Sequence, residues 1–160
     1  MYITSISKSP AEIAEAAKTK TAITEFRGYY DFLSNFYAYP FIYNGRRYFN
    51  AEAAYQAQKL PTDKGREQFM SISAPAAKKL GKTVELRADW EAIKVEVMHA
   101  VVSAKFEQNA DLAKLLIATG DKHLEEGNHW GDRFWGTVNG VGQNMLGKIL
   151  MEVRSKLQQP

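Results

Sequence analysis

The spacing of apolar residues along this chain is helical over most of its length, and one segment carries the longest such pattern. Between Trp90 and Gln108, apolar residues recur every three or four positions, as on one face of a helix. Asp89, directly before this segment, is of a residue type that caps helix N-termini. The pattern predicts a long helix buried at the centre of the fold, with an apolar face formed by Ile93, Val97, Met98, Val101, Val102, Ala104 and Phe106.

Shorter helices are predicted from the same periodicity combined with capping residues and helix breakers. Ser9 and Asn50 stand at expected N-caps, while Pro61 and Gly120 end two of the patterns. Gly81 has the residue type found just beyond helix C-termini. The predicted segments are Pro10–Lys18, Ala51–Leu60, Asp63–Ser71, a helix begun by Ser73-Ala74-Pro75 and ended at Gly81, Asp111–Thr119, and a last helix opened by Asn144 and running to Lys156.

Strands are predicted at two places. The segment 21–26, Thr-Ala-Ile-Thr-Glu-Phe, has the composition of a strand. The pair Asn44-Gly45 is favoured in tight hairpin turns, so residues 41–43 and 46–49 are predicted to be the two arms of a hairpin. The predicted fold class is α+β: a mainly α-helical single domain with a small β-hairpin.

Composition and charge narrow the class of protein. The chain has 160 residues, a length typical of one domain, and contains no cysteine, which excludes disulfides and thiolate chemistry. Its net charge of +3 comes from interleaved acids and bases, and not from a basic block that would track a nucleic-acid duplex. It shows neither an export signal nor a bilayer-length apolar segment. We therefore expect a cytoplasmic protein without a membrane partner.

One predicted helix has a polar face where an apolar one would be expected. On Ala51–Leu60, the side chains of Glu52, Tyr55, Gln56 and Lys59 follow at spacings of three and four and so share a face. Glu52 in the first turn and Lys59 in the last could simply complement the helix dipole. Alternatively, a carboxylate at a helix N-terminus is favoured in its ionised form and can act as a base or stabilise a developing cation.

Five short motifs occur in the order typical of one known family. They are Leu33-Ser34-Asn35-Phe36, the run from Asn50 to Lys59, Trp90 within Asp-Trp-Glu, Trp130-Gly131-Asp132, and Asn144-Met145-Leu146-Gly147. With them, residues 24–157 resemble the YbiA-like, or NADAR (NAD- and ADP-ribose-associated), family. The resemblance implies the YbiA-like fold for residues 23–160, with residues 1–22 as an N-terminal extension.

The same resemblance implies an activity and a set of site residues. Family members are N-glycosidases that act on ribosyl-amine or ADP-ribosyl compounds and use no metal or cofactor. Carried over by position, Glu52, Trp90 and Asp132 would be catalytic. The residues expected to bind a phosphorylated ribosyl or ADP-ribosyl substrate are Asn35, Arg27, Tyr55, Lys59, Trp130, Gly131 and Asn144.

The chemistry of C1′–N hydrolysis requires groups of these types. Positive charge develops at C1′ as the base leaves, so one carboxylate can stabilise it while a second orients or deprotonates water. An aromatic platform, formed by Trp90, Tyr29 or Tyr30, would stack on the leaving base. Phosphate needs donors, and the candidates are Arg27, Lys59, Arg46 and the backbone of Gly136–Gly147. A shared site would also turn the N-termini of two helices towards the phosphate.

Several simpler interpretations stay open for these residues. Trp90 could close the core, Asp132 could be an ordinary turn residue paired with Arg133, and Asn144 could only cap the last helix. Lys59 could act as an imine-forming nucleophile instead of binding phosphate. The three histidines, His99, His123 and His129, have no metal-ligand spacing.

The sequence also leaves open which substrate is used and whether the protein is catalytic. Some family members act on early riboflavin-pathway intermediates and others on ADP-ribosylated guanine in nucleic acid, and both substrates present a ribose C1′–N bond. The chain has Ala53 and Ala54 where members often carry histidine or another polar residue, which weakens the choice between them. A non-catalytic module that binds NAD or ADP-ribose is the alternative function. The oligomeric state is left undetermined.

Overall fold

The computed structural model describes residues 8–160, which divide into two compact units. The central unit is Asn35–Gln108, and the terminal unit is residues 8–34 together with Asn109–Pro160. The first part of the predicted N-terminal extension, residues 1–7, lies outside the described residues. Within residues 8–160, no helix has both the length and the apolar content needed to cross a bilayer.

The central unit consists of a hairpin and four helices. The hairpin pairs β2 (Phe41–Tyr43) with β3 (Arg46–Tyr48) in antiparallel register, with Asn44 and Gly45 at positive φ in the turn. The helices are α2 (Ala51–Ala57), α3 (Asp63–Glu67), α4 (Ala74–Gly81) and α5 (Trp90–Glu107).

Helix α2 is the core of this unit, because each of its seven residues is buried. Four of them are alanines, which allow α4 and α5 to pack closely on either side. The Asn50 side chain caps the helix by accepting a hydrogen bond from the Ala53 N–H at 2.7 Å. The polar side chains of α2 must therefore find their partners inside the protein.

The terminal unit combines the two ends of the chain. Its elements are α1 (Pro10–Lys18), β1 (Ala22–Ile23), a 3₁₀ helix (Gly28–Leu33), α6 (Ala110–Ala118), β4 (His123–Leu124) and α7 (Met145–Gln158). Strand β1 pairs in parallel with β4, and α6 contacts α1, α7 and the 3₁₀ helix. The guanidinium of Arg154 joins α7 to the end of α6 by donating to Thr119 Oγ1 at 3.0 Å and to the Lys122 carbonyl at 2.8 Å.

The predicted fold class is confirmed, and most elements lie where they were expected. The hairpin, α1 and α4 match their predictions, and α5 is confirmed as a core helix that packs on α2 and β2. Three elements are shorter than predicted by three residues or more: α2 ends at Ala57, α3 ends at Glu67, and the strand predicted over residues 21–26 is reduced to Ala22–Ile23. Strand β3 and α5 each end one residue before the predicted bound. The 3₁₀ helix and β4 were not predicted.

Three predicted helix caps use different interactions from those expected. The Asp89 carboxylate is bound by the Arg87 guanidinium at 2.7 and 3.2 Å, and this contact lowers the pKa of Asp89. Gly81 is the last residue of α4 and lies in ordinary helical backbone, not at a positive-φ C′ position. Asn144 has left-handed φ and directs its side chain to the backbone of a neighbouring segment.

Helix α1 is anchored through a small apolar surface. Ile13 is fully buried and Ala17 is 3% exposed, whereas Glu15 on the opposite face is exposed. We predict that Ile13→Ala lowers the free energy of unfolding by about 2–5 kcal/mol, because it leaves a cavity between α1 and α6. Glu15→Ala, which removes only a surface ion pair with Lys18, should change it by less than about 0.5 kcal/mol. Urea unfolding measures both, and equal effects would contradict the burial of α1.

Candidate active site

Glu52 is a buried carboxylate in the first turn of α2. Its residue is 8% exposed, and its Oε1 accepts a hydrogen bond from Gln56 Nε2 at 2.8 Å, one helical turn further on. Its own N–H donates to the Asn35 carbonyl at 3.0 Å. The Asn35 side chain is buried too, and its amide donates to Met98 Sδ at 3.3 Å. Asn35 therefore fixes the start of α2 through its main chain, and Gln56 fixes the carboxylate.

Gln56 has an unusual environment. Its residue is 6% exposed, and its Oε1 finds no hydrogen-bond partner among the described residues. This oxygen lies against Gly81, where an added Cβ would overlap it and would come within 2.5 Å of Gln56 Cδ. An unsatisfied buried acceptor costs about 1–3 kcal/mol. The amide keeps this orientation because an ionised carboxylate can only accept a hydrogen bond, so Nε2 must face Glu52.

Lys59 follows α2 in the turn after the helix, not on its last helical turn as predicted. Its Nζ donates to the Gly81 carbonyl at 3.3 Å. Burial lowers the pKa of Lys59, and the charges of Glu52 and Glu91 partly oppose this shift. Lys59 is thus a partly desolvated cation in the electrostatic field of Glu52.

Trp90 begins α5 and packs against α2. It is 4% exposed, and its ring lies 5.2 Å from the Tyr55 ring at an interplanar angle of 55°. This tilted contact is a favourable aromatic arrangement and forms part of the core. The interpretation of Trp90 as a residue that closes the core is therefore consistent with its burial.

The backbone donors at the start of α2 are already used. The N–H of Glu52 is bound by the Asn35 carbonyl and that of Ala53 by the Asn50 side chain. These two N–H groups are satisfied within the protein, so phosphate binding at this helix N-terminus could use neither of them.

Asp132 lies in the terminal unit and organises a tight turn. Its Oδ1 accepts hydrogen bonds from the N–H groups of Phe134 and Trp135 at 3.0 and 2.9 Å. The Asn128 side chain binds both the N–H and the carbonyl of Asp132, at 3.0 and 2.8 Å. Asp132 is thus a turn residue, although its carboxylate partners are backbone N–H groups and not the predicted Arg133. Oδ2 is the oxygen left for another partner.

A groove of about 350 Å³ runs beside this turn within the terminal unit. Arg27 lines it and lies 3.5 Å from the carboxylate of Glu25. Inside the groove, Thr137 Oγ1 donates to Glu125 at 2.8 Å. The lining is mostly polar and consists of Thr24, Glu25, Arg27, Glu125, Gly127, Asn128, His129, Thr137, Asn139 and Gly140.

Trp130 and Gly131 follow the groove residue His129 along the chain and precede Asp132. Trp130 is 51% exposed, and its ring makes an edge contact at 5.3 Å with His129, which lines the groove. Gly131 has φ +89°, a conformation that a side chain would strain. The turn thus presents a large aromatic surface beside a polar groove.

The Asn144 side chain links the start of α7 to the backbone around β4. Its Oδ1 accepts from the Glu126 N–H at 3.0 Å, and its Nδ2 donates to the Leu124 carbonyl at 2.9 Å, so the amide substitutes for a backbone pair next to β4. Gly147 is required beside it, because a Cβ there would overlap this amide and the Leu124 carbonyl. Any role of Asn144 towards a substrate would act through the segment that it holds.

Among residues 8–160, no group of three or more His, Asp or Glu side chains is placed so that it could hold a metal ion. The histidines have separate local contacts. His99 lies 3.4 Å from Ser103 Oγ, His123 lies 3.5 Å from Glu125, and His129 packs on Trp130.

Five predicted site residues belong to the central unit: Asn35, Glu52, Tyr55, Lys59 and Trp90. Asn35 binds Glu52 through the main chain, the charge of Glu52 acts on Lys59, and the Tyr55 ring packs on the Trp90 ring. The other predicted residues, Arg27, Trp130, Gly131, Asp132 and Asn144, belong to the terminal unit. Sequence reasoning missed Asn128, which holds the Asp132 turn, and Gly81, which bounds Gln56 and Lys59. Gly81 carried a signal only as a helix terminator, because a close approach by a distant side chain leaves no local pattern.

Comparison with known proteins identifies relatives over most of the chain. The model of the NADAR domain family matches residues 23–158. The N-glycosidase YbiA of Escherichia coli is 40% identical over 136 residues, which cover 81% of this chain and 82% of that protein. The Riboflavin biosynthesis protein VVA0006 of Vibrio vulnificus is 42% identical over 132 residues, which cover 80% of this chain but only 36% of that longer protein.

A solved structure is similar as well. The NMR structure of E. coli YbiA matches with a TM-score of 0.75 and 36% sequence identity, over 86% of each chain. This share is larger than either unit, so the likeness includes residues of both. From the family match, the sequence identities and the shared fold, we conclude that this chain belongs to the NADAR domain family.

Proposed function

We propose that the protein is an N-glycosidase that hydrolyses the C1′–N bond of a phosphorylated ribosyl or ADP-ribosyl compound. The observation that carries this proposal is the Glu52 carboxylate, which is buried on an internal helix and held by a side-chain amide. A carboxylate in such a place needs a reason, because burying charge is costly. The relatives that are named N-glycosidases support the same reaction.

Glu52 is the group that stabilises positive charge. As the C1′–N bond breaks, charge develops at C1′ and the ring oxygen, and a preorganised carboxylate in a partly desolvated site lowers that barrier. Water then forms the new C1′–O bond, and its released proton balances the one that the leaving nitrogen takes up. The hydrogen bond from Gln56 fixes the carboxylate before substrate arrives.

Asp132 is proposed to orient or deprotonate the attacking water. Its Oδ1 is committed to the turn, so Oδ2 is the oxygen available for water. Because the Asn128 side chain and two backbone N–H groups hold the residue, its carboxylate is preorganised as a general base should be. Trp90 and Tyr55 contribute aromatic surface, and exposed Trp130 offers a larger platform for a flat base.

The substrate's phosphate is assigned to side chains. Arg27 at the groove of the terminal unit is the exposed candidate, and Lys59 is the partly buried one. Lys59 already donates to the Gly81 carbonyl and is attracted by Glu52, which suits a fixed cation. The predicted site residues Asn35, Gly131 and Asn144 act by holding the chain segments that carry the reacting groups.

The substrate class is tested directly. The protein is incubated separately with a ribosylaminopyrimidine phosphate and with an oligonucleotide that carries ADP-ribosylated guanine, and the released base or ADP-ribose is measured. We expect turnover of the pyrimidine compound, in line with the relatives named for riboflavin biosynthesis. Release from the oligonucleotide alone would assign the second class, whereas binding of ADP-ribose without turnover of either compound would favour the non-catalytic module.

The catalytic assignments predict the kinetics of two variants. Glu52→Gln keeps the shape of the side chain and an oxygen that can accept from Gln56, yet it removes the charge. We expect kcat to fall by at least about a hundredfold, with a much smaller change in KM. Asp132→Asn should also lower kcat by about a hundredfold while it preserves the turn, since Oδ1 can still accept from the backbone.

The matched control for this prediction is Glu91→Gln. Glu91 is also an acid in the first turn of a helix of the central unit, but it is exposed and paired with Lys94. Its replacement should leave kcat within about twofold of the native value. Thermal melts exclude unfolding, and a folded Glu52→Gln enzyme with nearly normal kcat would remove Glu52 from the chemistry.

Burial of Lys59 predicts a pH dependence of stability. Its pKa is below the ordinary 10.5 in the folded protein, so between the two values the unfolded state binds more protons and stability rises with pH. Lys59→Met removes this pH-dependent contribution, so the free energy of unfolding of the variant should rise less between neutral pH and pH 10.5 than that of the native protein. Lys82→Met at an exposed neighbouring position is the control. Urea unfolding across this pH range measures the difference, and parallel curves for native protein and Lys59→Met would contradict the assignment.

A further inference from the structure

We propose that Gln56 and Gly81 form a positioning pair that holds the Glu52 carboxylate in its reactive orientation. This inference rests on the proposed function, because it assigns Glu52 to the chemistry. Gln56 makes the contact with Glu52, and Gly81 provides the surface that prevents the Gln56 amide from moving away. Neither Gln56 nor Gly81 is assigned a contact with the substrate, so both are positioning residues.

The Gln56 amide has a defined direction. Nε2 donates to Glu52 Oε1 at 2.8 Å, while Oε1 is buried without a hydrogen-bond partner within residues 8–160. A glutamine kept only for packing could be replaced by an apolar side chain of similar volume without leaving a buried acceptor unsatisfied. Such groups in a native structure call for an explanation, and a catalytic role is one of the few. Here the amide favours the ionised form of the carboxylate, which is the form that stabilises a cation.

The Gln56 amide also lies against Gly81. The Gln56 amide fills the space that a Cβ at position 81 would occupy, so α2 and α4 approach closely only because this residue is glycine. Its backbone conformation does not require glycine, because Gly81 lies in ordinary helical backbone at the end of α4. The requirement is therefore steric and concerns the position of Gln56.

Gly81 also binds the ammonium group of Lys59. Its carbonyl accepts from Lys59 Nζ at 3.3 Å, so the same residue bounds the amide beside Glu52 and fixes the ammonium group attracted by Glu52. The end of α4 thus supports both charged groups of the site from one side.

Gln58 provides the internal comparison. It is 4% exposed and follows the same helix, but its amide donates to the Ala54 carbonyl at 3.0 Å, a purely structural contact. A buried glutamine near α2 is thus not sufficient for the proposed role, which depends on the hydrogen bond to Glu52.

The experiment combines one shape-conserving variant with a double-mutant cycle. Gln56→Met keeps volume and removes the donor, and it should lower kcat by about ten- to a hundredfold with KM changed by less than about threefold. The acid limb of its kcat–pH profile should move to higher pH, because the ionised carboxylate has lost its donor. Gln58→Met is the matched control and should retain native kcat and pH profile.

The cycle tests whether Gly81 acts through Gln56. Gly81→Ala should displace the amide and produce the same loss of kcat and the same shift of the acid limb. In a Gln56→Ala background the added methyl meets no amide, so Gly81→Ala should then cost less than about twofold. Coupling of this kind is what residues in contact show, whereas independent sites add. A thermal melt of each variant shows whether it folds. If Gln56→Met does not fold, the cycle of Gln56→Ala and Gly81→Ala still tests the positioning pair.

The outcomes separate this inference from the proposed function. Native kcat and pH profile in Gln56→Met, together with loss of activity in Glu52→Gln, would overturn the positioning pair and leave the function standing. Additive losses for Gln56→Ala and Gly81→Ala would also overturn it, because Gly81 would then act only on packing. Nearly normal kcat in Glu52→Gln would instead overturn the proposed function.

Discussion

The central unit depends on burying a polar helix inside an apolar core. Helix α2 is lined by alanines, and their small side chains let α4 and α5 approach until all seven of its residues are buried. Close packing of this kind leaves Glu52 only 8% and Gln56 only 6% exposed, and the carboxylate takes a hydrogen bond from the neighbouring amide inside the protein. The reactivity proposed for the carboxylate and the tight packing around it therefore have one origin.

The terminal unit builds its candidate groups by a different device. Asparagine side chains replace backbone partners there: Asn128 brackets both main-chain groups of Asp132, and Asn144 pairs with the segment after β4. Side-chain amides can do this because each carries a donor and an acceptor in the geometry of a peptide unit. A loop with little regular structure thus becomes rigid enough to hold a carboxylate in a fixed direction, as catalysis requires.

Sequence patterns predicted the elements better than the contacts between them. Periodicity and local caps located α1, α4, α5 and the hairpin, because these signals act within a few residues. The motif that contains Glu52 was recognisable for its polar face. Its hydrogen bond from Gln56 follows from helical spacing, but the need for Gly81 does not, since that residue is brought to α2 only by tertiary packing. Asn144 had the residue type of a cap and acts as a tertiary link instead.

The packing around the proposed site also has a cost in stability. Burial lowers the pKa of Lys59, Gln56 retains an unsatisfied oxygen, and Glu52 is a carboxylate in a mostly apolar core. Buried polar groups often contribute less to stability than apolar residues of equal volume, because desolvation offsets much of what a single buried contact returns. Three such groups on neighbouring turns of chain therefore indicate a requirement other than stability. The alanines of α2 pack with residues of α4 and α5, and this packing stabilises the central unit enough to offset the cost of burying the polar side chains.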